Sequence, residues 1–266
     1  MPMTYAQCLT RMNALTEPVT RAAIATLPLS GRVRGLDAGC GVGTHVGWLL
    51  DRIGEHGHVT GLDQSLDRLG AARANTTSPC VDWVEGNLLV LPFDDHSFDF
   101  VWCADTLWPG VIEDPARVLR GFRRVVRPGG WIALWHWIDQ ALLCGHPQVE
   151  ARLRAAFSDA TPYIAGVLPQ RQVANARGWL EEAGLVPTTT QAFVRTLHGP
   201  LKAGEQEAVH DAIDMLYQDV VSRLSDQDQL LYATIASRIG PHSVTRMPSY
   251  FGWIVYSLHV ATVVPP

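Results

Sequence analysis

Residues 33–50, VRGLDAGCGVGTHVGWLL, decide how the rest of the chain is read. An apolar run ends on Asp37, three glycines follow at alternate positions (Gly39, Gly41, Gly43), and the pattern then turns helical. That is the order strand, tight turn, helix. Glycines in such a turn adopt backbone conformations closed to other residues and leave no Cβ between the main chain and a bound molecule. The first free amides of the helix face the same place.

The spacing narrows what could bind. A dinucleotide fingerprint asks for a third glycine at position 44, where this chain has Thr44. The series present, D-x-G-x-G-x-G from Asp37, resembles motif I of the class I S-adenosylmethionine (SAM)-dependent methyltransferases. Residues 86–108, GNLLVLPFDDHSFDFVWCADTLW, form the most specific stretch of the chain. They resemble the G-D-x-x-x-L-P-F-x-D-x-S-F-D-x-V segment of the small-molecule methyltransferases related to those of ubiquinone and menaquinone biosynthesis, with Asn87 where that family usually has aspartate. Arg127-Pro128-Gly129-Gly130 matches the family's turn before its fifth strand. The resemblance runs over roughly residues 33–138. It implies an α/β fold, a doubly wound, mostly parallel seven-stranded sheet of the Rossmann-like methyltransferase type, with helical cap insertions.

The same resemblance implies SAM as cofactor, with S-adenosylhomocysteine as product. Its expected contacts are Asp37, Gly39, Cys40, Gly41 and Gly43 in the loop, Asp63 and Gln64 after the second strand, Asn87, Leu88 and Cys103. Asp63 ends HVTGLD, 20 residues beyond Gly43. In a doubly wound sheet a carboxylate at that place accepts hydrogen bonds from both ribose hydroxyls. The Asn87 carboxamide still offers an acceptor to the adenine amino group, and Leu88 its backbone amide.

The remaining elements follow from periodicity and punctuation. Before the loop, apolar positions at helical spacing are interrupted by Pro18, which predicts two short helices, a lid over residues 1–30. Helices are expected over about 44–53 and 66–74, and strands over 81–86 and 97–105. Asp114-Pro115 opens a further helix as cap and first-turn proline, and residues 131–139 are the fifth strand. A core of residues 31–139 is thus expected, followed over 140–266 by two more strands and cap insertions at 140–170 (with Pro162 and Pro169) and 204–240. A helix over 172–183 ends at Gly184, residues 185–199 read as the sixth strand and 251–264 as the last, antiparallel to its neighbours. Two amphipathic helices are expected within 204–239, one with Val209, Ile213, Leu216 and Val220 as its apolar stripe, the other with Leu230, Leu231, Ile235 and Ile239.

Composition bounds the function. With 266 residues the chain can bury one large α/β core. A formal net charge of -5 argues against a nucleic-acid partner, which needs a basic surface. Its five cysteines are scattered without a C-x-x-C pair, so no zinc site and no disulfide framework is expected, and a reduced, cytoplasmic setting fits. No leader pattern and no membrane-spanning apolar run is present. The expected partner is a small-molecule acceptor, and the chain a monomer or homodimer.

Methyl transfer from a sulfonium is an in-line displacement with a neutral leaving group, so alignment can supply ~7–11 kcal/mol and a base a further ~10²–10⁴-fold. His136, amid Trp135 and Trp137 on the fifth strand, is the first candidate base, with His198 and His45 as lesser candidates, and Asp105 is a catalytic candidate placed near the cofactor's methionine half. Tyr5, Trp108, Trp135, Trp137 and His198 are candidates for the acceptor pocket, and His45 for the turn's surroundings. The expected activity is methylation of an O, N or C atom in specialised (natural-product) or quinone metabolism. The alternatives are an NAD(P)-dependent oxidoreductase and a non-catalytic SAM-binding module.

Overall fold

A computed structural model describes residues 4–29, 32–161 and 165–265. Pro162 lies outside them. Seven strands, β1 (Arg34–Ala38), β2 (His58–Asp63), β3 (Val81–Glu85), β4 (Phe98–Ala104), β5 (Val126–Ala141), β6 (Val186–His198) and β7 (Phe251–Thr262), form one sheet in the order β3-β2-β1-β4-β5-β7-β6. The pairs β3·β2, β2·β1, β1·β4 and β4·β5 are parallel. At β7 the direction reverses. The Gly129 amide donates to the Val263 carbonyl while the Val263 amide donates back to Gly130, a reciprocal pair that joins the start of β5 to the end of β7. Side-chain bonds from Thr188 to the Val260 carbonyl and from Thr262 to the Val186 carbonyl run β6 and β7 antiparallel in the same way.

Eight helices accompany the sheet among the described residues: α1 (Tyr5–Ala25), α2 (Thr44–Ile53), α3 (Leu66–Asn75), α4 (Pro115–Val125), α5 (Pro147–Ala160), α6 (Ala176–Glu182), α7 (Ala203–Tyr217) and α8 (Asp226–Ile235). Caps behave as the sequence suggests. Ser65 accepts from the Arg68 amide to start α3, Asp114 accepts from Arg117 to start α4, and Gly184 follows α6 in the left-handed conformation.

Four expectations change. β5 begins at Val126, so Arg127-Pro128-Gly129-Gly130, expected as the turn before the fifth strand, lies within it. Where two short helices were expected there is one: α1 continues through Pro18, because Met12, Leu15, Val19, Ala23 and Ile24 are buried at helical spacing on both sides of it and their burial outweighs the lost backbone bond. Residues 172–183 carry helix only from Ala176, two 3₁₀ turns taking up what precedes it. The second apolar stripe does not exist: Leu230 is 72% and Ile239 85% exposed, α8 ends at Ile235, and of the four only Ile235 is buried.

By internal packing the chain divides into two units. One comprises Met1–Pro18, Asp139–Val167 and Val194–Val255. Its interior holds Val209, Ile213, Tyr217 and Tyr250, with Asp211 gripped by Arg11 and Arg238. The other comprises Val19–Ile138, Leu168–Phe193 and Tyr256–Pro266 and contains strands β1 to β4 entire. Its core layer joins Leu36, Leu62, Val101, Leu119, Phe122, Ile132, Leu134, Trp179 and Leu180. No helix among the described residues is long and apolar enough to cross a membrane.

Candidate functional site

The second unit places the glycine loop at the carboxyl end of the central strand β1. Asp37, with Gly61 of β2 on one side and Trp102 of β4 on the other, is 1% exposed, and its Oδ2 has no hydrogen-bond partner. Burial, and then the charge of Asp63, push this carboxyl up to about 8. A buried carboxylate oxygen without a donor is costly in an isolated fold. It is the group a bound cation would satisfy.

The loop amides are largely committed to the protein itself. Gly39 and Cys40 both donate to the Leu62 carbonyl, Gly43 donates to Cys40, and Gly41 donates to Asp63 Oδ2 at 3.0 Å. Two glycines serve packing as much as a ligand. A Cβ on Gly39, whose φ is +83°, would lie 2.5 Å from Thr106 Oγ1, and one on Gly43, at +76°, 2.5 Å from the Trp83 ring. Gly43 also caps α2 without any side-chain bond, so the start of that helix depends on backbone alone.

Asp63 ends β2 at the expected place and is already saturated. Its Oδ1 accepts from the Ser65 amide at 2.9 Å and from Arg68 Nε and Nη2 at 3.1 and 2.7 Å. Arg68, one turn into α3, is a site residue that sequence reading missed. Only the fold of α3 back over the strand end brings it within reach. Gln64 beside it is exposed. Asn87 is exposed, and its Oδ1 accepts from the Leu89 amide at 2.9 Å in a local turn, with Leu88 half-buried next to it. Cys40 and Cys103 are buried thiols, both pushed up chiefly by burial. His45, at the start of α2, accepts from Trp102 Nε1 at 3.2 Å, stacks on Trp48, and is held down at about 4 by burial, so it stays neutral.

At the ends of β4 and β5 the two catalytic candidates, Asp105 and His136, diverge. Asp105 is half-buried and sits at φ +45°, a left-handed conformation rare outside glycine. Its amide donates to the Trp135 carbonyl, its Oδ1 accepts from the Trp137 amide at 2.8 Å, and its side chain also takes a hydrogen bond from Tyr256. Burial raises its carboxyl to about 7, the two hydrogen bonds opposing that rise. His136 is 0% exposed, boxed by the edges of Trp108 and Trp179, with both ring nitrogens unpartnered and burial holding it at about 3. Alternation along β5 puts Trp135 and Trp137 on the opposite face. Trp135 is buried there, stacked on Tyr256 with centroids 4.6 Å apart and flanked by Trp102 and Phe193. Trp108 donates from Nε1 to the Asp105 carbonyl at 2.8 Å. Tyr5 and His198 belong to the other unit, where both are exposed, and His198 lies against Phe251.

This geometry defines a class, a doubly wound sheet with two acidic residues at the carboxyl ends of adjacent strands, where such folds take their ligands. A family model for a methyltransferase domain matches residues 36–134. Residues 36–134 are thus similar to a methyltransferase domain. The curated relatives include the demethylmenaquinone methyltransferase of Listeria monocytogenes, 39% identical over 103 residues, which cover 37% of this chain and 42% of that protein. The chloroplast 2-phytyl-1,4-beta-naphthoquinone methyltransferase of Arabidopsis thaliana is 34% identical over 107 residues, 37% of this chain and 40% of that one. The chain thus matches about two fifths of the length of these relatives. Among solved structures, a chain from the complex between the Haloferax volcanii Trm112 methyltransferase activator and a putative methyltransferase superposes with a TM-score of 0.62 at 18% identity, over 98% of this chain and 95% of that one.

The residues present fit SAM. The orphaned Oδ2 of Asp37 could take the amino group of its methionine half, and Asp63 stands where a carboxylate could take the ribose hydroxyls. For Asp63 to accept those hydroxyls the guanidinium of Arg68 must yield. Replacing Arg68 by methionine, which keeps the stem and removes the competing donor, should tighten S-adenosylhomocysteine binding by about tenfold, whereas Asp63→Ala should weaken it by ~1–3 kcal/mol. Calorimetric titration of both variants reads the two signs.

Proposed function

We propose that the chain transfers a methyl group from SAM to an oxygen, nitrogen or carbon atom of a small-molecule acceptor in specialised (natural-product) or quinone metabolism. The observation that carries this reading is the buried, donor-less oxygen of Asp37 at the end of the central strand, with a second carboxylate, Asp63, at the end of the next. Bound SAM supplies an electrophilic methyl carbon on a sulfonium.

The chain's part is to hold and orient. Asp37 and Asp63 fix the two ends of the cofactor, Asn87 and Leu88 border its base, and the neutral sulfur leaving group asks no acid of the protein. Rigid alignment of this kind supplies the larger share of the rate. Where the acceptor must lose a proton, Asp105 is the better-placed base. The residue is half-buried, its orientation is fixed by the Trp137 amide and Tyr256, and at about 7 it is both substantially ionised and basic at neutral pH. His136 is the second candidate, available to an acceptor only once the Trp108–Trp179 box opens. Trp108, Trp135 and Trp137 of this unit, with Tyr5 and His198 of the other, are the acceptor-side candidates.

A screen of candidate metabolites with isotopically labelled SAM, read as a mass shift, tests the reading, and with an acceptor in hand Asp105→Asn should lower turnover by ~10²–10⁴-fold. S-adenosylhomocysteine affinity should stay near that of the parent. A base at His136 would put that loss on His136→Ala and leave Asp105→Asn close to full activity.

A further inference from the structure

Asp105 is held more tightly than a strand-end carboxylate needs to be, and the last of its holders comes from far along the chain. Its main chain is fixed on both sides, by the Asp105 amide on the Trp135 carbonyl and by Trp108 Nε1 on its own carbonyl, each at 2.8 Å. The left-handed φ of +45° is kept against its preference by those bonds. Tyr256, on β7, meets the carboxyl that this arrangement presents. Its ring cannot wander, because it is stacked on Trp135 at 4.6 Å with 8° between planes and has Trp137 at 5.9 Å.

We propose that Tyr256 is the positioning residue of Asp105: its hydroxyl donates to the carboxylate, and the two form a fixed carboxylate–phenol pair at the carboxyl ends of β4 and β5. The inference rests on the methyltransferase reading with Asp105 as base. A phenol that donates to the ionised form stabilises that form and offsets part of the burial around it. Tyr256 thereby draws the carboxyl back down from the value burial alone would give it and keeps it turned toward one place. The groups facing the carboxyl are the Trp137 amide from β5, the Tyr256 hydroxyl from β7 and the Cys103 thiol on its own strand. No ion pair among the described residues reaches it.

The test needs no acceptor. In the full chain with ¹³C-labelled aspartate carboxyls, the Asp105 resonance, assigned by its loss in Asp105→Asn, is followed against pH in the parent and in Tyr256→Phe, which keeps the stacked ring. The midpoint should rise in Tyr256→Phe by about one pH unit or more, a tenfold weaker acid, with S-adenosylhomocysteine affinity nearly unchanged. An unchanged midpoint overturns the pairing. Should Tyr256→Phe fold poorly, Asp105→Asn reads the same bond from the other side: the ¹³Cζ resonance of Tyr256 should shift, and no shift overturns the proposal. Failure of the underlying reading looks different, since the parent itself would then not bind S-adenosylhomocysteine.

Discussion

Asp37→Asn should lower affinity for S-adenosylhomocysteine by about 100-fold, ~2.7 kcal/mol, while making the free protein more stable above neutral pH. Both effects follow from one buried carboxyl raised to about 8. An acid whose pKa is higher folded than unfolded favours the fold fully below its unfolded value and loses that contribution as pH climbs toward the folded one. The window here runs from about pH 4 to about pH 8. Thermal melts of the ligand-free parent should therefore fall behind those of Asp37→Asn progressively across that window and coincide with them near pH 4. The same titration acts on binding. Below about pH 8 the carboxyl must give up its proton before it can pair with the amino group of the ligand, so parental affinity should rise with pH by up to tenfold per unit. Asparagine has no such proton, and its weak residual binding should be flat.

The largest expected loss of stability is at Trp135. The indole is fully buried, packed face to face with Tyr256 and against Trp102 and Phe193, so it ties β4, β5, β6 and β7 together. Trp135→Ala removes that contact set and leaves a cavity among aromatic rings too rigid to collapse into it, at a cost of ~3–5 kcal/mol. The midpoint of thermal unfolding should drop by roughly 6–20 °C. Trp135→Phe should recover most of the loss, because a second ring can still stack on Tyr256. Equal losses for both variants would mean that the indole is held by something other than stacking.

The first half of this unit was legible because its signals are local. Asp37, the alternating glycines and Thr44 mark strand end, turn and helix start within eight residues, and β1, α2 and β2 fall where the pattern puts them. Asp114-Pro115 and Gly184 work equally well as caps, since a cap depends on its own few neighbours. What escaped depends on how the elements pack once the chain has folded. Pro18 reads as a break until the burial of Leu15 and Val19 is known, and Leu230 and Ile239 read as a core stripe although nothing covers them. Arg68 carries no sign of its partner, which becomes a neighbour only when α3 turns back over the end of β2. Tyr256 is one aromatic residue in an apolar strand, and its pairing with Asp105 exists only because β7 runs antiparallel beside β5. His136 is the reverse case. Its place among tryptophans was plain in the sequence, but the extent of its enclosure was not.

The central claim is that the crevice at the ends of β1 and β2 holds a sulfur-bearing nucleoside amino acid. Its most direct test is calorimetric titration of the full chain at pH 8.5 with S-adenosylhomocysteine and, separately, with NAD. The account predicts saturable one-to-one binding of S-adenosylhomocysteine that is about 100-fold weaker in Asp37→Asn, and no heat from NAD. Binding of NAD with none of S-adenosylhomocysteine would contradict it.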